Sequence, residues 1–162
     1  MKLLSMNRPP AESKMNGQWK KFINEKELKT VGIVICITEH QEFLIIRRSK
    51  IDKRRGEWTF PGGHVDDADG SIEAGAIREL YEETNLKCSI KDLLYLGEFG
   101  PEKFYFLTQE WNGEVNIDKP NPKTGEIEHD DYKWLTLEEI ENSDFSSIKT
   151  YILRRALDTI NA

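Results

Sequence analysis

Three glutamates, Glu79, Glu82 and Glu83, occupy positions i, i+3 and i+4 of one segment with helical apolar spacing, so all three carboxylates project from one face. Like charges packed this way repel, by about 0.2–0.5 kcal/mol per pair on an exposed helix and more when partly buried. A divalent cation reverses that sign. Oxygen donors from carboxylates suit hard ions such as Mg²⁺ or Mn²⁺ rather than Zn²⁺, which prefers His and Cys. Taken alone, three glutamates describe a solvated acidic helix face better than a metal site.

The elements that must hold these residues are legible around them. Ser71 is a good N-cap, and Ile72, Ala76, Ile77 and Leu80 recur at helical spacing up to Asn85. Ahead of it lie a charged loop, Ser49 to Glu57, a short strand, Trp58 to Phe60, and the turn Pro61-Gly62-Gly63. The runs Val31 to Thr38 and Glu42 to Arg48 read as a hairpin, the first buried on both faces because it is almost wholly apolar. Strands are expected at Leu93 to Phe99, Lys103 to Gln109 and Tyr132 to Leu135. Thr136 should cap a short helix at Leu137 to Glu141, and Ser146 or Ser147 should open a final helix through Leu157. The long acidic loop Asp118 to Asp131 is of the kind that is functional or disordered. Residues 1–28 form a polar lead-in, with Trp19 and Phe22 as its anchors, and residues 29–162 form one domain.

The segment from Gly63 to Leu86, GHVDDADGSIEAGAIRELYEETNL, directly after GEWTFPG, resembles the Nudix box and its preceding strand. Arg78, Glu79, Leu80, Glu82, Glu83 and Leu86 match that pattern in order. Three departures stand out. One residue is inserted between Gly63 and Arg78, which puts the box's first glutamate at Asp69 or Gly70, with the extra residue in the loop Asp66 to Gly70. Asn85 replaces the glycine at the helix C-terminus, where Asn is the usual substitute in a left-handed position. Gly75 lies inside the helix, at a cost of about 1 kcal/mol against Ala, and close packing against the sheet would explain it.

The resemblance implies an α/β/α sandwich with a central mixed β-sheet, spanning roughly residues 30–158, and hydrolysis of the diphosphate linkage of a nucleoside diphosphate derivative with Mg²⁺ or Mn²⁺. It further implies Glu82 and Glu83 as metal ligands, Glu79 as ligand or base, the Gly62 carbonyl as a further ligand, and Arg78 as the group that locks the glutamates. A further acid is expected from the loop before the last strand. Glu128 is favoured, as ligand or base, over Glu126, Asp130 and Asp131, with His129 as a surface or supporting residue. Among the basic residues leading to the motif, Arg48 and Arg55 are the candidates for holding substrate phosphates.

Substrate is less determined. Nucleotide sugars such as ADP-ribose, dinucleoside polyphosphates and nucleoside triphosphates stay open, as does a non-catalytic nucleotide sensor, which the intact Arg78 and glutamates argue against. Trp58, Phe104, Tyr105 and Tyr132 could stack a base or belong to the core. Pro101 gives a weak ADP-ribose signal, and Lys149 stands where relatives that read oxidised guanine can carry asparagine. The net charge of −6 excludes a general field for long nucleic acid, and the longest apolar stretch, Val31 to Ile37, is too short for a membrane span. Two cysteines, Cys36 and Cys88, are too few for a disulfide framework and read as reduced thiols. With no signal-like apolar core, a cytoplasmic protein is expected, and homodimer formation stays open.

Overall fold

The computed structural model describes residues 29–145 and 147–162; the lead-in with Trp19 and Phe22, and Ser146, lie outside the described residues. Among the described residues, seven strands and three α-helices follow in chain order: β1 (Val31–Cys36), β2 (Phe43–Arg48), β3 (Trp58–Thr59), β4 (Gly62–His64), α1 (Ile72–Thr84), β5 (Leu93–Glu98), β6 (Lys103–Thr108), β7 (His129–Leu135), α2 (Leu137–Glu141) and α3 (Thr150–Asn161). One four-stranded sheet runs β4-β1-β6-β5, with β1 and β6 parallel and the other pairs antiparallel. A second, antiparallel sheet runs β3-β2-β7.

Alternation along β1 and β2 feeds two cores. Val34, Cys36, Leu44 and Ile46 pack with Ile72, Ala76 and Leu80 of α1, whereas Ile33, Ile35, Phe43 and Ile45 pack with Ile140 of α2 and Ile152, Leu153 and Ala156 of α3. Strands buried on both faces need apolar residues at consecutive positions, as the sequence showed. The result is the expected α/β/α sandwich with a mixed strand layer.

The expected hairpin does not form as such. β1 and β2 meet at the turn, where Ile37 bridges Phe43 and Thr38 N–H donates to the Glu42 carbonyl at 3.0 Å, and then diverge into different sheets. Each already has both edges filled: β1 by β4 and β6, β2 by β3 and β7. Further boundaries differ from expectation: the final helix runs to Asn161 rather than Leu157, and Gly62–His64, expected in part as a turn, pairs with β1 as β4. β7 begins at His129, three residues early: Arg47 faces Asp131 across the ladder and pairs with Asp130 at 2.7 Å, and opposite charge across the strands supports pairing there. α3 begins at Thr150, not at a serine; Ser147 instead donates its hydroxyl to the Trp58 carbonyl at 2.5 Å, tying this segment to β3.

Candidate active site

α1 carries the centre. The Ser71 hydroxyl accepts the Ala74 N–H at 3.1 Å at its start, and Asn85 ends it in the left-handed region at φ 71°, as the cap chemistry required. Asn85 also donates its side-chain amide to the Glu114 carbonyl at 3.2 Å, a bond glycine could not make. Ile72, Ala76 and Leu80 are buried, which turns Glu79, Glu82 and Glu83 toward the cleft. Gly75 packs on the Val65 side chain beyond β4 rather than on the sheet itself; a Cβ there would lie 2.8 Å from both Val65 methyl carbons.

Arg78 is the hub. Its Nε donates to Asp69 Oδ1 at 2.7 Å and its Nη2 to Asp69 Oδ2 at 3.0 Å, a two-pronged pair, while Nη1 donates at 3.1 Å to both Glu79 Oε1 and Glu82 Oε1. A further bond, 3.0 Å, goes from Nη2 to the His64 carbonyl. The guanidinium is thereby held firmly protonated, chiefly by Asp69, and the same contact holds the Asp69 carboxyl below its ordinary range. Of the two positions that spacing left for the box's first acid, Asp69 is the one that pairs with Arg78, while Gly70 closes a single 3₁₀ turn, Asp67–Asp69, at φ +79°. Spacing alone left two placements for this acid; the bond to Arg78 selects one.

Glu83 lies deepest. Burial pushes its carboxyl well up, repulsion from Glu79 adds to this, and the Gly62 N–H, which donates to Glu83 Oε1 at 2.9 Å, opposes it. Glu79 is also raised by burial, against the pull of Arg78, and its carboxylate lies over Gly63, where a Cβ would stand 2.5 Å from the carboxyl carbon. Glu128 lines the same cleft and repels both. Among the described residues no three His, Cys, Asp or Glu side chains stand together as a ready metal cage. Arg78 holds Glu82 and one oxygen of Glu79, and Gly62 holds Glu83. Even so, desolvated, mutually repelling oxygen donors with too little positive charge beside Glu83 fit a hard divalent cation.

The surrounding cleft holds about 1260 Å³. Arg48 lines it, 3.2 Å from Asp52, but Arg55 does not; Arg54, its neighbour in the turns of the 49–57 loop, lines it instead. Of the four competing loop acids, only Glu128 reaches the cleft. Asp130 pairs with Arg47 at 2.7 Å, Asp131 accepts the Tyr132 N–H, and Glu126 is exposed. His129 is no surface residue: it is 4% exposed, and burial and then Arg48 push its pKa down to about 4. Trp58, Tyr105 and Lys149 line the cleft, Phe104 is core, and Tyr132 lies exposed on β7 away from the lining.

The chain matches the NUDIX domain family over residues 26–156. An 8-oxo-dGTP diphosphatase of Proteus vulgaris is 29% identical over 113 residues, which is 65% of this chain and 97% of that relative. An asymmetrical bis(5'-nucleosyl)-tetraphosphatase of Mus musculus is 31% identical over 109 residues, 60% of this chain and 66% of its own length. Among solved structures, a MutT protein from Methanosarcina mazei Go1 superimposes with a TM-score of 0.60 at 24% identity, covering 82% of this chain and 94% of that one, and so shares the fold.

Proposed function

From the premise that the chain belongs to the Nudix family of pyrophosphohydrolases, we propose that it cuts the phosphoanhydride of a nucleoside triphosphate or dinucleoside polyphosphate, in the cytoplasm, with Mg²⁺ or Mn²⁺. The observation that carries this reading is the Arg78 brace on Glu79 and Glu82, set beside the desolvated Glu83, with Glu128 lining the same cleft. Both relatives are named for substrates with three or more phosphates, which supports these classes over a nucleotide sugar. Two free cysteines agree with a reducing compartment, and no helix among the described residues is long and apolar enough to cross a membrane.

Glu82, Glu83, Glu79, the Gly62 carbonyl and Glu128 are the groups that would hold the cation. When bound, it supplies positive charge to the phosphoryl oxygens and eases departure of the leaving phosphate. The chain's own residues do the rest. Arg78 fixes two carboxylates, so little reorganisation is left for the reaction. Glu79 or Glu128 takes the proton of the attacking water; burial raises the Glu79 carboxyl above its ordinary range, which makes it a stronger base than an exposed carboxylate. Arg48, Arg54 and Lys149 face the cleft as phosphate-binding cations, and Trp58 and Tyr105 offer ring faces to a base.

A panel of nucleoside triphosphates, dinucleoside polyphosphates and nucleotide sugars, incubated with Mg²⁺ or Mn²⁺, tests the reading by its products. Pyrophosphate with a nucleoside monophosphate marks a triphosphate substrate, whereas a mono- and a polyphosphorylated nucleoside mark a dinucleoside polyphosphate. Tight binding of one compound with no turnover of any would identify a sensor instead.

A further inference from the structure

The tip of the 118–128 loop is folded around one side chain. Asn121 Oδ1 accepts the Lys123 N–H at 2.8 Å and the Thr124 N–H at 3.3 Å. The Asn121 backbone N–H donates to the Glu126 carbonyl at 2.8 Å, its carbonyl accepts the Gly125 N–H at 2.8 Å, and Pro120 pairs with Ile127 across the neck. Such a turn is a common use of asparagine. Here it has a second effect. With the amide oxygen filled by two N–H donors, the amide can face only one way, and its Nδ2 donates to Glu128 Oε1 at 2.9 Å.

Glu128 is fixed from the other side as well. Its carbonyl accepts the Ser49 N–H at 2.8 Å, and the buried Ser49 donates its hydroxyl to the Ile127 carbonyl at 2.9 Å, so the end of β2 anchors the backbone. With the main chain fixed, the side chain can still rotate about its own torsions. Among the described residues, the Asn121 hydrogen bond is the contact that selects among those rotamers by a charge-assisted bond. A carboxylate that must act at one place in a cleft gains from such a restraint.

We propose that Asn121 is a positioning residue for Glu128: the loop turn locks the Asn121 amide, and the locked amide presents the Glu128 carboxylate to the centre formed by Glu79 and Glu83. The inference rests on the reading of Glu128 as part of that centre. It assigns the 118–128 loop a purpose beyond closing one wall of the cleft.

Asn121→Asp separates this role from a purely architectural one. The aspartate keeps an oxygen for the Lys123 and Thr124 N–H groups, so the turn survives, but it sets an acceptor against Glu128 where a donor stood. The expected result is a kcat about tenfold or more below the parent with KM within about threefold, and protection of the Lys123 and Thr124 amides from hydrogen exchange unchanged. In a Glu128→Gln background the same substitution should cost less than about twofold, since residues acting through one another are not additive. A parent-like kcat in Asn121→Asp, or an equal loss in both backgrounds, overturns the proposal.

A second measurement needs neither turnover nor a substituted Asn121, so it stands even if no nucleotide proves to be a substrate. In ¹⁵N-labelled, substrate-free protein, the Asn121 side-chain amide resonance should move on Glu128→Gln and stay in place on Glu126→Gln. A resonance unmoved by Glu128→Gln shows that the two side chains are not coupled, and the proposal fails.

Discussion

Asp69 is the residue whose importance exceeds its visibility. Its carboxylate takes two of the five N–H groups of Arg78, and the remaining donors are then aimed at Glu79, Glu82 and the His64 carbonyl. Groups that orient ligands without touching the reaction usually cost 10- to 100-fold when removed, as an order of magnitude. Asp69→Asn should therefore lower kcat/KM by about that factor, while Asp69→Glu, which keeps the charge, should retain most of it. Steady-state kinetics on a substrate found in the panel decides this, and parent-like rates in Asp69→Asn would show that Arg78 needs no such partner. Glu79, Glu82, Glu83 and Arg78 were readable because helical spacing fixes which residues share a face. Asp69 was not, because an insertion in a loop leaves register undefined until a partner is seen. Glu128 could be favoured over its acidic neighbours by position, but Arg55 could not be told from Arg54, since an irregular loop with consecutive cations, Lys53 to Arg55, carries no period that assigns a side.

At the scale of elements, α1 was read nearly to the residue: its N-cap, its left-handed exit at Asn85 and its buried stripe all follow from local chemistry. Strand partners did not follow. A continuous apolar run states that both faces are buried, yet says nothing about which strands fill the two edges, and so the hairpin of β1 and β2 had to give way to two sheets. Gly75 shows the same limit from another side. Helix propensity alone predicts that Gly75→Ala stabilises by about 1 kcal/mol. The new Cβ would press on both Val65 methyl carbons at 2.8 Å, and a β-branched side chain has little freedom to turn away. Overpacking of this kind typically costs about 1–3 kcal/mol. Gly75→Ala is thus expected to lower the denaturant midpoint, with the loop carrying Asp69 displaced and activity reduced; a midpoint raised by the substitution would show that Val65 yields easily.

For the molecule as a whole, the active centre is a cost that the fold carries. Glu83 and Glu79 are desolvated and repel one another, with Glu128 adding to both, and the Gly62 N–H and Arg78 compensate only in part. Two opposite effects on stability follow from one arrangement. Without divalent metal, in excess EDTA, Glu83→Gln should melt higher than the parent, because it removes a carboxyl whose desolvation and repulsion from Glu79 are only partly compensated. With millimolar Mg²⁺ or Mn²⁺ the parent should gain, since a ligand bound only by the native state stabilises it by about 2.7 kcal/mol at a hundred times its dissociation constant. For a chain of this size that corresponds to a rise on the order of 5–10 °C. Glu83→Gln should gain much less, having lost a ligand carboxylate, so the order of the two melting temperatures narrows or reverses when metal replaces EDTA. Scanning calorimetry of both proteins under both conditions measures all four values. Equal metal-induced shifts in parent and variant would remove Glu83 from the metal site, and a variant that melts lower than the parent in EDTA would mean that its carboxylate is better compensated than burial and repulsion imply.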